Sequence, residues 1–545
     1  MAKVIFSKRE IEEHFKLDEK TLEAINLFGT PAQLSQDSLE VEIFPNRPDL
    51  LSLQGFVRAI KAFLGKEPGL KAYRINGSDY KLHVDKSIPD EWPYAVACII
   101  KGLSLDDSKI KEIIQLQEKL GSTLLRNRKK GGLGLYPLEK ITFPVEFLGL
   151  PGEKIKFRPL EFPDEINGRE ILAKHPTGRE YAHIIQDWGK FPVFMDKKGK
   201  ILSMPPIINS HDLGKIGHNT KDVFIEATGT DYRTIKAALN ILATALSDMG
   251  GKIYSIECIQ KSGHKEILPN LSPEVMRLNL ENANSLLGLE IKEKDVPRLL
   301  SKMGYDSSSG KAKIPAWRTD ILHEVDIIED LAIAYGYNNL TPEIPSISTI
   351  AEQDFKNKLN NKIAEILIGL GLQEISSFHL IKNEEADKIK QDKIEVLDSK
   401  TDYKILRQGL LIPAFRFFSE NKDAEYPQRI FELGKVFIKS QSRKIPGIYE
   451  TFHLLIALSP GNFTEIKQAL DYLAKNLSLG FQVKESSKPG LIEGRTGSIF
   501  FNEKEIGFIG EAHPGTLRDF NVKLPLAVLE ISLEEISDFL LNRIA

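Results

Sequence analysis

The segment AWRTDILHEVDIIEDLAIAYGYNNL, residues 316–340, limits the possible folds most, because it holds four acidic residues at fixed positions around a predicted helix. From about Leu322, apolar residues recur at steps of three and four, which is the spacing of one buried helix face, and its predicted members are Val325, Ile328, Ala332 and Tyr335. Three of the acids stand at i, i+3 and i+4, so their side chains lie close together. The fourth precedes the helix, and the set is Asp320, Asp326, Glu329 and Asp330.

This acidic set permits two interpretations. Clustered carboxylates repel one another unless a positive charge lies between them. Because the donors are oxygen atoms apart from His323, a bound ion would be a hard cation, Mg²⁺ before Zn²⁺. The alternative is an acid-rich helix N-terminus that only interacts favourably with the helix dipole. The residues alone leave both interpretations open.

Length, charge and cysteine content restrict the class of protein. The 545 residues predict roughly three or four domains. A net charge of −3 excludes a global basic field, so RNA binding would require local patches. The two cysteines, Cys98 and Cys258, are too few for a disulfide framework or a cysteine-based zinc site. This low cysteine content favours a reducing cytosol, so we expect a cytoplasmic protein, and since no run reaches the ~20 apolar residues of a membrane span, we expect no membrane partner.

Residues 1–78 are predicted to form an N-terminal α/β module. KVIFSKREIEEHF indicates a strand and then a helix with Ser7 as its N-cap, and LEVEIF alternates as a strand. PNRPD is a forced turn, because its two prolines fix the backbone. Arg47 and Asp49 of this turn either bind a ligand or only hold the turn. The polar stretch near 66–90 predicts a linker.

A larger mixed domain is predicted for residues 91–265. After a strand and a helix it carries the densest basic patch in the chain, followed by glycines and another strand. This patch is either a solvated turn or a contact for an RNA backbone, which needs Lys and Arg but no sequence reading. Its members are Arg126, Arg128, Lys129 and Lys130.

Polar residues later in the same domain suggest a pocket. DVFIEATGTD alternates as a strand, with Glu226 and Thr228 on one face. Asn209 and Ser210 stand near the end of another predicted strand. These donors and acceptors form either the wall of a polar pocket or the outer face of an ordinary sheet. Neither a Ser-His-Asp order nor a metal-ligand set accompanies them in this segment.

Two further domains complete the predicted α+β multidomain organisation. Residues 266–345 predict helix, helix, strand and helix, with Ser272 as the first cap, which suits a small winged or split α+β domain. Residues 346–545 predict a long helix and then strands such as RIFELGKVF and LIEGRTGSIFF. His513 is expected to cap a helix or lie in the core rather than act as a base. The chain has no Walker loop and no GxGxxG motif.

WRTDI followed by EVDIIEDLAIAYGYNNL resembles the signature of the B5 domain in the β subunit family of phenylalanine–tRNA ligases. The resemblance implies an Mg²⁺ site in residues 266–345, shared with the α subunit. Mg²⁺ seldom takes four direct carboxylates, so some of them would hold its water molecules. The implied ligands are Asp320, Asp326, Glu329 and Asp330, the last being Asp where many members have Glu.

Two other regions resemble the same family. The order strand–NRPDLLS–helix is similar to its N-terminal, B1-like domain, and residues 91–265 resemble the B3/B4 domain of its archaeal and eukaryotic-length members. That domain is the editing module, which hydrolyses tyrosine mischarged onto tRNA(Phe). A phenylalanine pocket rejects an added hydroxyl only weakly, so a second, hydrolytic site is useful. The implied pocket residues are Asn209, Ser210, Glu226, Thr228 and Asp231, with Glu226 as a partner for the tyrosine hydroxyl.

Residues 346–545 resemble the antiparallel sheet domain of class II synthetases, but without a clear ATP-binding Arg/Glu pair, so we expect that fold without its active site. The resemblance implies an α₂β₂ heterotetramer whose α subunit uses ATP to attach phenylalanine to tRNA(Phe). This chain would supply subunit interface, tRNA binding and editing. Two alternatives stay open: a free-standing aminoacyl-tRNA deacylase, which needs only residues 91–265, and a non-catalytic RNA-binding scaffold.

Overall fold

A computed structural model describes residues 2–440 and 447–544 of the chain. Backbone contacts divide the chain into two compact units, Met1–Ile344 and Pro345–Ala545, each described by itself below. Among the described residues, every helix is too short or too polar to cross a membrane.

The first unit begins with a small sheet and three helices. Ser7 caps the first helix as predicted, because its Oγ accepts a hydrogen bond from the Glu10 amide at 3.4 Å. Arg47 holds Asp49 through two hydrogen bonds of 2.9 and 2.8 Å in the Pro-rich turn. The elements are β1 (Ala2–Ser7), α1 (Lys8–Glu12), α2 (Glu19–Leu27), β2 (Ala32–Leu34), β3 (Ser38–Ile43) and α3 (Leu53–Phe63), and the sheet order is β1-β3-β2.

The middle of this unit contains two larger sheets. Its strands are β4 (Ile75–Asn76), β5 (Lys81–Val84), β6 (Tyr94–Lys101), β7 (Gly131–Pro137), β8 (Val145–Leu150), β9 (Lys156–Phe157), β10 (Ile166–Asn167), β11 (Phe191–Met195), β12 (Ile201–Met204), β13 (Ile208–Asn209), β14 (Val223–Gly229), β15 (Lys252–Tyr254), β16 (Ile256–Ile259) and β17 (Lys265–Leu268). Its helices are α4 (Asp107–Ser122), α5 (Gly168–Lys174), α6 (Pro176–Ile185), α7 (His211–Gly214) and α8 (Tyr232–Asp248).

The sheet orders are β4-β15-β6-β14-β7 and β13-β12-β11-β8-β5-β16-β17. The stretch 66–90 is therefore not only a linker, because β4 pairs in parallel with β15, and β5 pairs in parallel with β8 and β16. Residues 266–268 also belong here, since β17 pairs with β16 across the predicted boundary at 265. Both differences depend on strand partners that are distant in sequence, which local composition does not reveal.

The last part of the first unit contains the acidic helix. Its elements are β18 (Glu274–Arg277), α9 (Leu280–Leu287), α10 (Val296–Lys302), β19 (Asp306–Ser308), β20 (Lys311–Ile314) and α11 (Glu324–Tyr335), with sheet order β18-β20-β19. Ser272 was the wrong cap: residues 274–277 are a strand, and Asn279 caps α9 through its side-chain oxygen. Val325 was expected in the buried face of α11 but is 49% exposed, whereas Ile327 and Leu331 are fully buried.

The second unit is built on a seven-stranded sheet that is antiparallel except where β21 pairs with β24. Its helices are α12 (Phe355–Gly369), α13 (Asn383–Lys388), α14 (Leu411–Glu420), α15 (Phe463–Leu477), α16 (Pro514–Asp519) and α17 (Glu534–Ile544). Its strands are β21 (Gln373–Glu374), β22 (Leu380–Lys382), β23 (Tyr403–Leu406), β24 (Gln428–Ser440), β25 (Gly447–Ser459), β26 (Gln482–Glu485), β27 (Leu491–Phe501), β28 (Lys504–Ala512) and β29 (Ala527–Ser532). His513 caps α16, as expected.

Candidate functional site

A cavity of about 530 Å³ lies beside β7 and β14 in the first unit, and its wall includes Gly132, Asn209 and Glu226. Strand β14 runs between β6 and β7, and all seven of its residues are buried. In the register of β14 with β7, Glu226 lies opposite Gly134 and Thr228 opposite Gly132. The polar face predicted for this strand is therefore an interior face, not a solvated one.

The glycines of β7 make room for the polar side chains of β14. A Cβ at Gly134 would lie 2.3 Å from Glu226 Oε1 and 2.3 Å from the Tyr136 hydroxyl, which is far inside van der Waals contact. A Cβ at Gly132 would lie 3.8 Å from Thr228 Oγ1 and 3.3 Å from Pro206. The alternation Gly-x-Gly-x-Tyr in β7 thus matches the face that carries Glu226.

Tyr136 connects the two acceptors at the base of this cavity. Its hydroxyl lies 3.0 Å from Glu226 Oε1 and 3.3 Å from Asn209 Oδ1. Burial raises the pKa of Glu226 to about 8, against the opposing effect of the hydrogen bond with Tyr136. The Tyr136 hydroxyl donates to Glu226 Oε1, and at neutral pH the carboxyl group is mostly protonated, which leaves Oε2 available to a ligand.

Two polar atoms of this face have no hydrogen-bond partner within the described residues. They are Glu226 Oε2 and Thr228 Oγ1, and both are fully enclosed. Buried polar atoms are normally paired, because leaving one unpaired costs about 1–3 kcal/mol. Because Glu226 lines the cavity, its unpaired Oε2 is a position where a ligand hydroxyl or a water molecule would be stabilised.

Arg128, which the sequence placed in a basic patch, belongs to the wall of the same cavity. It donates hydrogen bonds to the carbonyl oxygens of Pro206 and Ile207 at 3.1 and 2.9 Å, and it stacks 4.4 Å above the Tyr181 ring. The turn that directs it inward holds Arg126, Asn127 and Arg128 at φ of 51°, 51° and 62°. Each such residue costs about 1–2 kcal/mol, and strain of this kind concentrates at functional sites.

Two residues of the predicted pocket stand at helix N-termini, but only Asp231 caps its helix with its side chain. Asp231 is exposed and stands at the N-terminus of α8, where its carboxylate accepts a hydrogen bond from the Thr234 amide at 2.8 Å. The hydrogen bonds from Thr234 lower the pKa of Asp231. Ser210 is buried at the N-terminus of α7, beside Asn209. Of the five predicted pocket residues, Asn209 and Glu226 line the cavity, Thr228 lies two positions along β14 from Glu226, and Ser210 and Asp231 lie outside the lining.

The acidic cluster at α11 is organised by an arginine. Arg318 donates from Nε and Nη2 to the two oxygens of Asp320, both at 2.8 Å, and Nη2 also lies 2.8 Å from Asp330 Oδ2. The Tyr305 hydroxyl donates to the same Asp330 oxygen. The side chains of Arg318, Asp320 and Asp330 are only 2%, 9% and 5% exposed. The positive charge that clustered acids require is thus supplied from inside the chain.

The other two acids have different roles. Asp326 closes a capping box, because its Oδ2 accepts hydrogen bonds from the amides of Leu322 and His323 at 2.7 and 2.8 Å. Glu329 is exposed, and partial burial together with the carboxylates of Asp330, Asp326 and Asp320 raises its pKa. Over residues 2–440 and 447–544, no three acidic, histidine or cysteine side chains are arranged to hold a metal ion. As placed here, these four acids do not fit an Mg²⁺ cage, and Mg²⁺ binding stays a prediction.

A buried pair of opposite charges is also present in the second unit. Arg407 precedes α14 and Glu432 lies on β24, and Arg407 Nη1 lies 2.8 Å from Glu432 Oε1. Arg407 also donates to the carbonyl oxygen of Lys435 at 2.8 Å, and Ser377 donates to Glu432. An Arg/Glu pair is therefore present in this sheet, but its groups are bonded to one another.

Sequence reasoning missed Tyr136 and the inward direction of Arg128. Tyr136 could have been found from GGLGLYP, because two glycines and a tyrosine alternate on one face of a strand. The direction of Arg128 had no such signal, since three successive non-glycine residues at positive φ are uncommon and cannot be read from composition.

Comparison with known families agrees with this architecture in both units. The family model described as "tRNA synthetase B5 domain" matches residues 276–337, which include β20 and α11. The model described as "Phenylalanyl tRNA synthetase beta chain CLM domain" matches residues 340–533, which cover most of the second unit.

Similar proteins extend over nearly the whole chain. The phenylalanine–tRNA ligase β subunit of Pyrococcus abyssi is 38% identical over 499 residues, 90% of this chain and 89% of that protein. The β subunit of Archaeoglobus fulgidus is 36% identical over 521 residues, 93% of each chain. A solved N-terminal fragment of the β subunit from Pyrococcus horikoshii superposes with a TM-score of 0.58 at 36% identity, covering 61% of this chain and 99% of the fragment. The chain belongs to the phenylalanine–tRNA ligase β subunit family.

Proposed function

We propose that this chain works with an α subunit in an α₂β₂ phenylalanine–tRNA ligase, which uses ATP to attach phenylalanine to tRNA(Phe). Family membership over about nine-tenths of the chain supports this assignment. The α subunit binds ATP and forms the aminoacyl bond. This chain contributes subunit contacts and tRNA contacts in the cytoplasm. The internal pairing of Arg407 with Glu432 supports a second unit without its own ATP chemistry.

The second part of the proposal is that the Glu226 cavity hydrolyses tyrosine mischarged onto tRNA(Phe). The observation that carries it is the unpartnered, enclosed Glu226 Oε2 on the wall of a cavity of about 530 Å³. That volume is within the range of pockets for small ligands. Tyrosine differs from phenylalanine by one hydroxyl, and an unpaired buried acceptor favours the ligand that carries that hydroxyl.

The proposed division of roles follows from position. Glu226 Oε2 accepts a hydrogen bond from the tyrosine hydroxyl, and Tyr136 fixes Glu226 and Asn209 relative to each other. Thr228 presents the second unpaired oxygen. The ester of an aminoacyl-tRNA is already activated, so the cavity has only to orient a water molecule towards the ester carbonyl. Asp231 acts indirectly, by capping the start of α8, whereas Ser210 is buried beside Asn209 and makes no side-chain cap.

The test is deacylation of Tyr-tRNA(Phe) by the α–β complex. The variant Asn209→Ala/Glu226→Ala removes both acceptors that Tyr136 contacts, and we expect it to lose roughly a hundredfold or more in deacylation rate. Asp231→Asn is the matched control, because asparagine is an equally good helix cap and lies outside the cavity. Aminoacylation by all three complexes should be unchanged. Unaltered deacylation in the double variant would support a non-catalytic scaffold instead.

A second experiment separates the subunit assignment from the free-standing deacylase. The purified chain alone should fail to charge tRNA(Phe) with phenylalanine, and charging should appear when the α subunit is added. Charging by the chain alone would overturn the division of labour. Full Tyr-tRNA(Phe) hydrolysis by the lone chain, with no synthetase subunit co-purifying from the native host, would favour the free-standing enzyme.

A further inference from the structure

His175 is a residue of the Glu226 cavity wall to which the roles proposed above give no task. It stands between α5 and α6, and it is only 6% exposed although its side chain is titratable. Its Nδ1 is enclosed and has no hydrogen-bond partner within the described residues. The cavity wall thus holds an unpaired nitrogen as well as the unpaired oxygen of Glu226.

The partner of the other ring nitrogen determines which nitrogen of His175 carries the hydrogen. Nε2 lies 3.0 Å from the carbonyl oxygen of Leu160. A carbonyl oxygen only accepts hydrogen bonds, so Nε2 carries the hydrogen, and Nδ1 of the neutral ring keeps a free lone pair. An enclosed lone pair on a cavity wall is available to a proton of a bound molecule.

The contact with Leu160 also connects His175 to the other polar groups of the cavity. The Leu160 amide donates to the Asn209 carbonyl oxygen at 2.9 Å. The Asn209 side chain lies 3.3 Å from the Tyr136 hydroxyl, which is itself 3.0 Å from Glu226 Oε1. These hydrogen bonds link His175 to Glu226 through the wall of the cavity, so the two unpaired atoms are held in a fixed relation to each other.

The other titratable side chains of the cavity wall are less suited to accept a proton there. Glu118 and Glu161 belong to the wall but are exposed to solvent. Arg128 is a donor only. Burial raises the pKa of Glu226 to about 8, so its carboxyl group is already mostly protonated at neutral pH. Among these described wall residues, His175 is therefore the one that combines burial with a free nitrogen lone pair.

We propose that His175 Nδ1 is the general base for ester hydrolysis in this cavity, an inference that rests on the editing function proposed above. As the water oxygen bonds to the ester carbonyl carbon, Nδ1 takes one proton from the water, and the carbonyl π electrons move onto the carbonyl oxygen. When the carbonyl re-forms, the bond between that carbon and the ribose oxygen breaks, and Nδ1 returns its proton to the ribose oxygen. Tyrosine and intact tRNA leave, and the new carboxylic acid releases its remaining proton to solvent.

Recognition and proton transfer are thereby assigned to different elements of the cavity wall. Glu226 on β14 binds the tyrosine hydroxyl, whereas His175 at the start of α6 acts on the ester. A change at His175 should slow the hydrolysis of Tyr-tRNA(Phe) and Phe-tRNA(Phe) by the same factor, so the ratio of the two kcat/KM values should stay constant. A change at Glu226 should alter that ratio.

The test is deacylation of Tyr-tRNA(Phe) by α–β complexes with substitutions at His175. His175→Gln places an amide nitrogen near the position of Nε2, so it can keep the bond to Leu160 but has no basic group. We expect kcat to fall about a hundredfold or more, with KM unchanged. His175→Asn places an amide oxygen near the position of Nδ1, which is an acceptor but not a base, and the same loss is expected. His183→Gln, at an exposed histidine of α6, is the matched control and should change neither constant.

Chemical rescue separates proton transfer from a purely structural role of this histidine. In His175→Ala, free imidazole should restore part of the rate, because it can enter the vacated space and supply the missing base. Imidazole should not restore the rate of Asn209→Ala/Glu226→Ala, in which His175 is intact. If thermal unfolding shows that His175→Gln does not fold, rescue of His175→Ala decides the matter.

Two results would overturn the role of His175. One is an unreduced kcat in His175→Gln or His175→Asn while Asn209→Ala/Glu226→Ala is inactive, which would leave the editing function itself supported. The other is a folded His175→Ala complex whose rate does not respond to imidazole. Unreduced deacylation in the His175 variants and in the double variant together would overturn both the general base and the editing function.

Discussion

The Glu226 cavity and the Arg318 cluster both bury carboxyl groups in the first unit, but they do so in opposite ways. Asp320 and Asp330 lie against a guanidinium group with oxygen–nitrogen distances of 2.8 Å, so their charges are balanced within the chain. Glu226 has only a phenol beside it, and burial raises its pKa to about 8. In the first arrangement both carboxylate charges are balanced, although Arg318 Nη1 has no partner within the described residues, whereas in the second one carboxyl oxygen has none.

The presence or absence of an adjacent cation gives buried carboxyl groups different functions in the two regions. A carboxylate paired with a buried arginine has a structural role, because removing either partner leaves an uncompensated charge in the protein interior. A neutral carboxyl group with one unpaired oxygen can instead form a hydrogen bond with a ligand hydroxyl through that oxygen. The two regions contain the same kind of acidic side chain, and they differ in whether a cation lies beside it.

Removing the counter-charge should have the largest effect. Arg318→Ala leaves Asp320 and Asp330 buried beside each other without a cation, and we expect the free energy of unfolding of the first unit to fall by about 3–5 kcal/mol. Denaturant unfolding of the full chain measures this. Glu226→Gln is the comparison variant: it removes no counter-charge, so it should not lower the free energy of unfolding by more than about 1.5 kcal/mol. A smaller loss for Arg318→Ala than for Glu226→Gln would contradict the account.

The second prediction concerns pH. The pKa of Glu226 is raised from the ordinary 4.5 to about 8 in the folded chain, so between these values the folded state keeps a proton that the unfolded state has released. Stability therefore decreases as pH rises through this window and levels off above it. Glu226→Gln should lose this contribution. Thermal unfolding of both proteins between about pH 5 and 9 tests it, and parallel curves would show that Glu226 does not titrate as described.

The third prediction concerns the group that joins the two acceptors of the cavity. Tyr136→Phe removes the hydroxyl between Glu226 and Asn209, and we expect a loss of about 1–3 kcal/mol in the free energy of unfolding. The hydrogen bond from Tyr136 lowers the pKa of Glu226, so its removal should shift the pH break upwards. Thr228→Val, a change at an oxygen without a partner, is the control and should leave that break in place.

The fourth and smallest effect concerns the predicted Mg²⁺ site. Glu329→Gln removes one of the four acids without disturbing the Arg318 pairs or the Asp326 cap. If the prediction from the sequence holds, this change weakens Mg²⁺ binding roughly tenfold in a calorimetric titration. Glu281→Gln, on a different helix, is the matched control. Equal Mg²⁺ affinity in the two variants would exclude a metal role for Glu329.

Much of the architecture followed from local patterns. Alternation placed Glu226 and Thr228 on one strand face, and the spacing of acids and apolar residues located α11. The buried face of that helix was predicted in part: Ile328 and Ala332 are buried as expected, but the face also includes Asp330 with Ile327 and Leu331. An acid in a buried stripe is foreseeable only when its partner is known, and Arg318 is brought to it by tertiary structure.

The parts that failed depend on contacts distant in sequence. Ser272 was taken as a helix cap because the following residues suit a helix, but Val275 and its neighbours pair with β20 almost forty positions later. Likewise, the stretch 66–90 has the composition of a linker, yet β5 completes a sheet between β8 and β16. Strand formation is determined by such partners more than by local preference.

The selectivity of deacylation tests directly whether Glu226 Oε2 recognises the tyrosine hydroxyl. The complex carrying Glu226→Met keeps the length of the side chain but has no acceptor for a ligand hydroxyl. We expect the ratio of kcat/KM for Tyr-tRNA(Phe) over Phe-tRNA(Phe) hydrolysis to fall by roughly ten- to a hundredfold relative to the unaltered complex. An unchanged ratio, in a variant that folds and charges phenylalanine normally, would show that the unpaired oxygen of Glu226 does not read the tyrosine hydroxyl.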